Sequence, residues 1–146
     1  MTKTIYLDMD GTIADLYGVH NWKTDLDALN ERPYAIAEPM HNMSALARAL
    51  NRVQKQGYRI GIISWLSKSG TEDYNMKVAK VKREWLHTHL RSVQFDEIHL
   101  VPFGTPKSSL ARPMDILFDD NEGVRNEWQG SAYEPQRIFE ILKKIS

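Results

Sequence analysis

Asp8-Met9-Asp10-Gly11-Thr12 carries the most chemistry in this 146-residue chain. The two aspartates end the run Thr4–Met9, which is β-branched and aromatic, as a buried parallel strand is. Strand alternation sends the carboxylates of Asp8 and Asp10 to one side and Met9 to the other. Two adjacent carboxylates repel unless a cation sits between them or one is protonated. A hard divalent cation such as Mg2+ is the natural partner of such oxygen donors. Gly11 allows a sharp turn and leaves room for a ligand.

A second acidic pair, Asp119-Asp120, follows the apolar run Asp115–Phe118. In open α/β sheets, ligands bind at the carboxyl ends of the strands. There Asp8, Asp10 and Asp119 can converge on one ion. Ser64 ends the run Tyr58–Ser64 at the same edge, where its hydroxyl and nearby backbone N–H groups could hold a phosphate. Lys107, in Gly104-Thr105-Pro106-Lys107-Ser108, could offer a cation to a phosphoryl group. Taken singly, each has an ordinary explanation as a cap, a solvated turn or a surface lysine. Their conjunction in this order points to a phosphate site.

The elements that must position these residues alternate along the chain. Strand-like runs at Thr4–Met9, Tyr58–Ser64, Glu97–Val101, Asp115–Phe118 and Ser131–Tyr133 are separated by helical patterns. Leu46, Ala47, Leu50 and Val53 mark one helix, with Ser44 as its expected N-cap and Gly57 as its stop. Val78, Val81, Trp85, Leu86 and Leu90 mark a second over 71–90. A short helix over 121–128 and a C-terminal one from Pro135 complete the set. This order predicts a doubly wound α/β domain with a mostly parallel sheet. The length suits one such domain. Residues 14–42 are long for a βα connection and read either as a lid or as a packed surface loop. Tyr17, Trp22, Tyr34 and Trp65 could stack on a base or simply pack.

Composition narrows the classes. Hydrophobic residues make up 42% and charged residues 26%, so the chain can form a core and is not expected to be disordered. Nineteen basic and nineteen acidic residues cancel, which disfavours a strongly basic nucleic-acid or membrane binder. The absence of cysteine excludes disulfides, thiolate metal sites and cysteine nucleophiles, and fits a reducing cytoplasm. No signal-like segment and no apolar stretch of ~20 residues is present, so a soluble cytoplasmic protein is expected. His87 and His89 point apart on a helix, and His20, His41 and His99 have no ligand-spaced partner. Lys77, Lys80, Lys82, Arg83 and Arg91 are expected on a solvated face, with a phosphate-backbone contact surface as the alternative, and Trp85 and Trp128 in the core.

The set DMDGT at Asp8–Thr12, Ser64 after IGII, Lys107 in GTPKS and ILFDD ending at Asp119-Asp120 resembles the haloacid dehalogenase-like phosphohydrolase superfamily. DMDGTIAD, GTPKS and ILFDDN are similar more narrowly to its 5'(3')-deoxyribonucleotidase branch. The resemblance implies a Mg2+-dependent phosphomonoesterase. Asp8 would be the nucleophile that becomes an aspartyl-phosphate. Asp10 would be the acid and then the base. Mg2+ would be held by Asp8, the Asp10 backbone carbonyl and Asp119, with Gly11, Thr12 and Asp120 in support. Ser64, the Trp65 backbone and Lys107 would bind the phosphoryl oxygens. The expected substrate is a small phosphomonoester, a (deoxy)nucleoside monophosphate, with Tyr17 or Trp22 beneath the base. With only the reduced lid at 14–42, a phosphorylated nucleic-acid end is the alternative. Signalling receivers share the residue types in a different order, and a non-catalytic phosphate-binding domain is the remaining class.

Overall fold

The alternating apolar runs assemble into a five-stranded sheet. The computed structural model describes residues 2–68 and 70–146. In chain order its elements are β1 (Thr4–Leu7), β2 (Ala14–Asp15), α1 (Trp22–Asp27), α2 (Arg32–Ile36), β3 (Glu38–Pro39), α3 (Met43–Lys55) and β4 (Arg59–Trp65). There follow α4 (Glu72–His89), β5 (Glu97–Val101), β6 (Ile116–Phe118), α5 (Glu122–Glu127), β7 (Ser131–Tyr133) and α6 (Ile138–Ile145). The main sheet has the order β5-β4-β1-β6-β7 and every pairing in it is parallel. From β1 the chain steps outward through β4 to β5, then returns to the other side of β1 for β6 and β7. That reversal opens a crevice at the carboxyl end of β1, where α/β sheets bind ligands.

The connections between parallel strands place helices on both faces of the sheet. Helices α3, α4 and α6 bury Leu46, Leu50, Val53, Trp85, Leu86, Ile138, Ile141 and Leu142 against Ile5, Leu7, Ile60, Ile62, Ile116 and Phe118. Val124 and Trp128, on and just after α5, cover Tyr6, Ile63 and Leu117 on the opposite face. Trp85 and Trp128 are core residues as expected. Both also satisfy their indole N–H, on the carbonyls of Ala37 and Asp115.

Local chemistry sets the element ends. Helix α3 starts two residues earlier than Ser44 would place it, because the Asn42 side chain accepts the Ala45 N–H and is the N-cap. Thr71 and Asn121 cap α4 and α5 in the same way. Pro135 opens a 3₁₀ turn before α6 begins at Ile138. Strand β1 is two residues shorter than its apolar run. Beyond Leu7, the Met9 carbonyl accepts the N–H groups of Thr12, Ile13 and Ala14, which curls the chain. Met9 itself is buried in the core.

Residues 14–42 are ordered by α1, α2 and the antiparallel pair β2-β3. They are stitched to α4 by Tyr74 Oη donating to the Asn30 carbonyl at 3.0 Å and by Trp85 Nε1 donating to the Ala37 carbonyl at 2.8 Å. Leu16 and Tyr34 pack with Tyr74 and Val78 beneath them. Among the described residues, no helix is long and apolar enough to cross a membrane.

Candidate active site

The turn after β1 presents its carboxylates to a cleft of about 620 Å³ at the carboxyl edge of the sheet. Asp8, Asp10, Lys107, Asp119 and Asp120 line its floor. Gly11 is required there twice over. Its φ is +81°, and a Cβ would lie 2.2 Å from Asp120 Oδ2. Thr12 is buried, donates to Asp8 Oδ2 at 2.9 Å and accepts the Asp120 N–H at 3.2 Å. It thereby ties the first acidic motif to the second. His41 donates through Nε2 to the Thr12 carbonyl at 2.7 Å and braces the same turn.

Lys107, on the 3₁₀ turn Lys107–Leu110, is 3% exposed and spans two carboxylates. Its Nζ lies 2.9 Å from Asp8 Oδ1 and 2.7 Å from Asp119 Oδ2. Burial opposes its charge, but those two carboxylates outweigh burial and push its pKa above the ordinary lysine range. The remaining acids hold protons tightly. Burial, with the Asp8 charge beside it, raises Asp119 to about 6 although Lys107 pulls the other way. Burial and Asp8 raise Asp120 to about 7. Burial also raises Asp10, against the pull of Lys82.

The expected trio of Asp8, Asp10 and Asp119 side chains is not the one the structure groups. Carboxylate oxygens of Asp8, Asp119 and Asp120 lie within 4.8 Å of one another. The Asp10 carboxylate lines the same cleft outside that group, with Oδ2 held 2.8 Å from Lys82 Nζ. With all four carboxylates ionised, the two ammonium groups would leave two negative charges, and the raised acids show how poorly the site tolerates that charge without a further cation. Hard oxygen donors with that residual charge suit a divalent cation such as Mg2+.

Lys82, expected on a solvated face, instead reaches the acidic cluster. It is 1% exposed. The signal was present in its spacing: Tyr74, Val78, Lys82 and Trp85 follow each other at helical intervals on the buried stripe of α4. Ser64 is fully buried and does not line the cleft among the described residues. Its Oγ accepts from Lys82 Nζ at 2.7 Å. Trp65 does line the cleft, and its carbonyl also accepts from Lys82.

Two aromatic pairs form walls above the acids. Tyr17 and Trp22 meet edge to face with ring centroids 5.0 Å apart, and Tyr17 is half exposed. Trp65 and Phe103 lie 4.8 Å apart, with Lys68 over the exposed Phe103 ring. Tyr34 lies deeper, its ring 4.9 Å from Lys82 Nζ.

No family model matches the chain. No curated protein sequence matches it. Among solved structures, the D,D-heptose 1,7-bisphosphate phosphatase from Burkholderia thailandensis is similar, with a TM-score of 0.48 and 17% identity over 82% of this chain and 67% of that one.

Proposed function

We propose that the chain is a Mg2+-dependent phosphomonoester hydrolase of the haloacid dehalogenase-like type. It would act through an aspartyl-phosphate on Asp8, in one cytoplasmic domain with residues 14–42 as a reduced lid. One observation carries this reading. A buried lysine bridges Asp8 and Asp119 beneath the cleft, beside a cluster of acids whose carboxylate oxygens lie within 4.8 Å of one another.

In the first step an Asp8 carboxylate oxygen bonds to phosphorus. The bond to the leaving oxygen breaks, and that oxygen takes its electron pair and a proton from Asp10. In the second step Asp10 accepts a proton from water as the water oxygen attacks phosphorus. Inorganic phosphate leaves and the Asp8 carboxylate is regenerated. Dividing the displacement this way replaces one difficult step by two easier ones. Lys107 and the backbone around Trp65 hold the phosphoryl oxygens and offset their charge. Asp8 and Asp119, with Asp120 and the Asp10 carbonyl beside them, would hold Mg2+, which when bound supplies positive charge next to those oxygens.

The aromatic walls support a flat group on the substrate, and hence nucleoside monophosphates, deoxynucleotides above all. Stacking is worth ~1–3 kcal/mol per base. Expressed in the transition state, that is on the order of five- to 150-fold in kcat/KM. The test is phosphate release from a panel of nucleotides, sugar phosphates and an aryl phosphate, with and without Mg2+. Nucleotides are expected to be preferred. Tyr17→Ala and Trp22→Ala should erase that preference and leave aryl phosphate hydrolysis largely intact. Equal losses on both substrates would make these residues structural, and a preference for sugar phosphates would remove the nucleotide assignment. Lys68 at the cleft mouth favours a second reading, in which a neighbouring phosphate of a nucleic-acid end binds there. A phosphorylated oligonucleotide in the panel decides between the two.

A further inference from the structure

Lys82 reaches the site from α4, an element outside the acidic motifs, and it spends all of its hydrogen-bonding capacity there. An ammonium group has three N–H donors. Those of Lys82 go to Asp10 Oδ2 at 2.8 Å, Ser64 Oγ at 2.7 Å and the Trp65 carbonyl at 2.8 Å. The Tyr34 ring covers the group at 4.9 Å, and the side chain is 1% exposed. No donor is left over for a substrate oxygen. Lys107 is the complementary case: it lines the cleft with its ammonium 2.9 Å from Asp8, the acid that would receive the phosphoryl group.

We infer that Lys82 is a positioning residue, which fixes the Asp10 carboxylate for proton transfer to the leaving oxygen by clamping it to the carboxyl end of β4. The inference rests on the assignment of Asp10 as the acid under Proposed function. One Asp10 oxygen is pinned by Lys82, and the residue lines the cleft. Ser64 acts in this arrangement as an anchor for Lys82 rather than as a contact to phosphate. The strand-end serine, the Trp65 carbonyl and Asp10 form one unit with the ammonium at its centre. Proton transfer by a positioned side chain contributes about 10²–10⁴-fold, and its loss is felt most where the leaving group is a poor one.

The experiment compares kcat/KM on an alkyl phosphate and on para-nitrophenyl phosphate, whose leaving group departs with little protonation. Lys82→Met should lower kcat/KM on the alkyl phosphate by about 100-fold and on the aryl phosphate by far less. Lys82→Met leaves Asp10 partly buried without its cation, which costs stability, so the double variant Asp10→Asn/Lys82→Met provides a second arm. Neither of its side chains is charged, and its single-turnover rate of para-nitrophenol release should equal that of Asp10→Asn alone, because the effect of Lys82 passes through Asp10. Equal losses of Lys82→Met on both substrates, or a further loss in the double variant, would overturn the inference. Wild-type protein inactive on both esters would instead overturn the phosphatase reading itself.

Discussion

Asp8→Asn should lose turnover on every phosphomonoester, by on the order of 10⁶-fold, the scale for removing a covalent nucleophile. An amide cannot form the acyl phosphate. The fold should survive, because asparagine has the shape of aspartate and the partners can adapt. Its carbonyl accepts from Lys107, and the Thr12 hydroxyl can turn to accept from its NH2. Removing one of four crowded acids also relieves repulsion on Asp119 and Asp120, where the Asp8 charge raises both pKa values. Circular dichroism and a melting curve check the fold. Retention of more than a few hundredths of wild-type activity would mean that Asp8 is not the nucleophile.

Chelation with EDTA should abolish activity, and Mg2+ should stabilise the protein more at pH 8 than at pH 5.5. The sign follows from the two raised acids. Asp119 at about 6 and Asp120 at about 7 lie above the ~3.9 of an unfolded aspartate. Between those values the folded chain binds more protons than the unfolded one. Stability of the metal-free protein therefore falls as pH rises from about 4 through 7. A cation competes with those protons, so it binds better as they leave. At a hundred times its Kd it adds about 2.7 kcal/mol, which at this chain length is on the order of 5–10 °C in Tm. Melting curves with EDTA and with Mg2+ at both pH values measure this. A Tm unmoved by millimolar Mg2+ at pH 8 would contradict the metal assignment.

Much of the frame was legible because apolar runs bounded by turn residues mark buried strands. Glu97–Val101 and Ser131–Tyr133 are strands with the expected bounds. The acidic motifs were legible through their place at strand ends, and Lys107 through its position before β6. What escaped depends on contacts distant in sequence. Alternation carried β1 to Met9, whereas three N–H groups converging on the Met9 carbonyl end the strand early. Helices α1 and α2 have six and five residues, too few to show a period. Lys82 stands among four other basic residues, which suggested solvent. Only its interval from Val78 and Trp85 places it inside, and only the fold brings it to Asp10, 72 residues away in sequence. The same lysine holds the Asp10 carboxylate and the buried Ser64 hydroxyl.

The central claim is a phosphoryl group carried on Asp8, and intact-protein mass spectrometry after acid quench tests it most directly. Asp10→Asn incubated with Mg2+ and an aryl phosphate should accumulate a species heavier by one phosphoryl group. Asn at position 10 cannot deprotonate the water that would release it, whereas an aryl leaving group departs without its help. Hydroxylamine should remove the added mass, as it does for an acyl phosphate, and fragmentation should place it on Asp8. The double variant Asp8→Asn/Asp10→Asn should show no added mass. Turnover by the wild type with no adduct in Asp10→Asn, or with the adduct on a residue other than Asp8, would contradict the account.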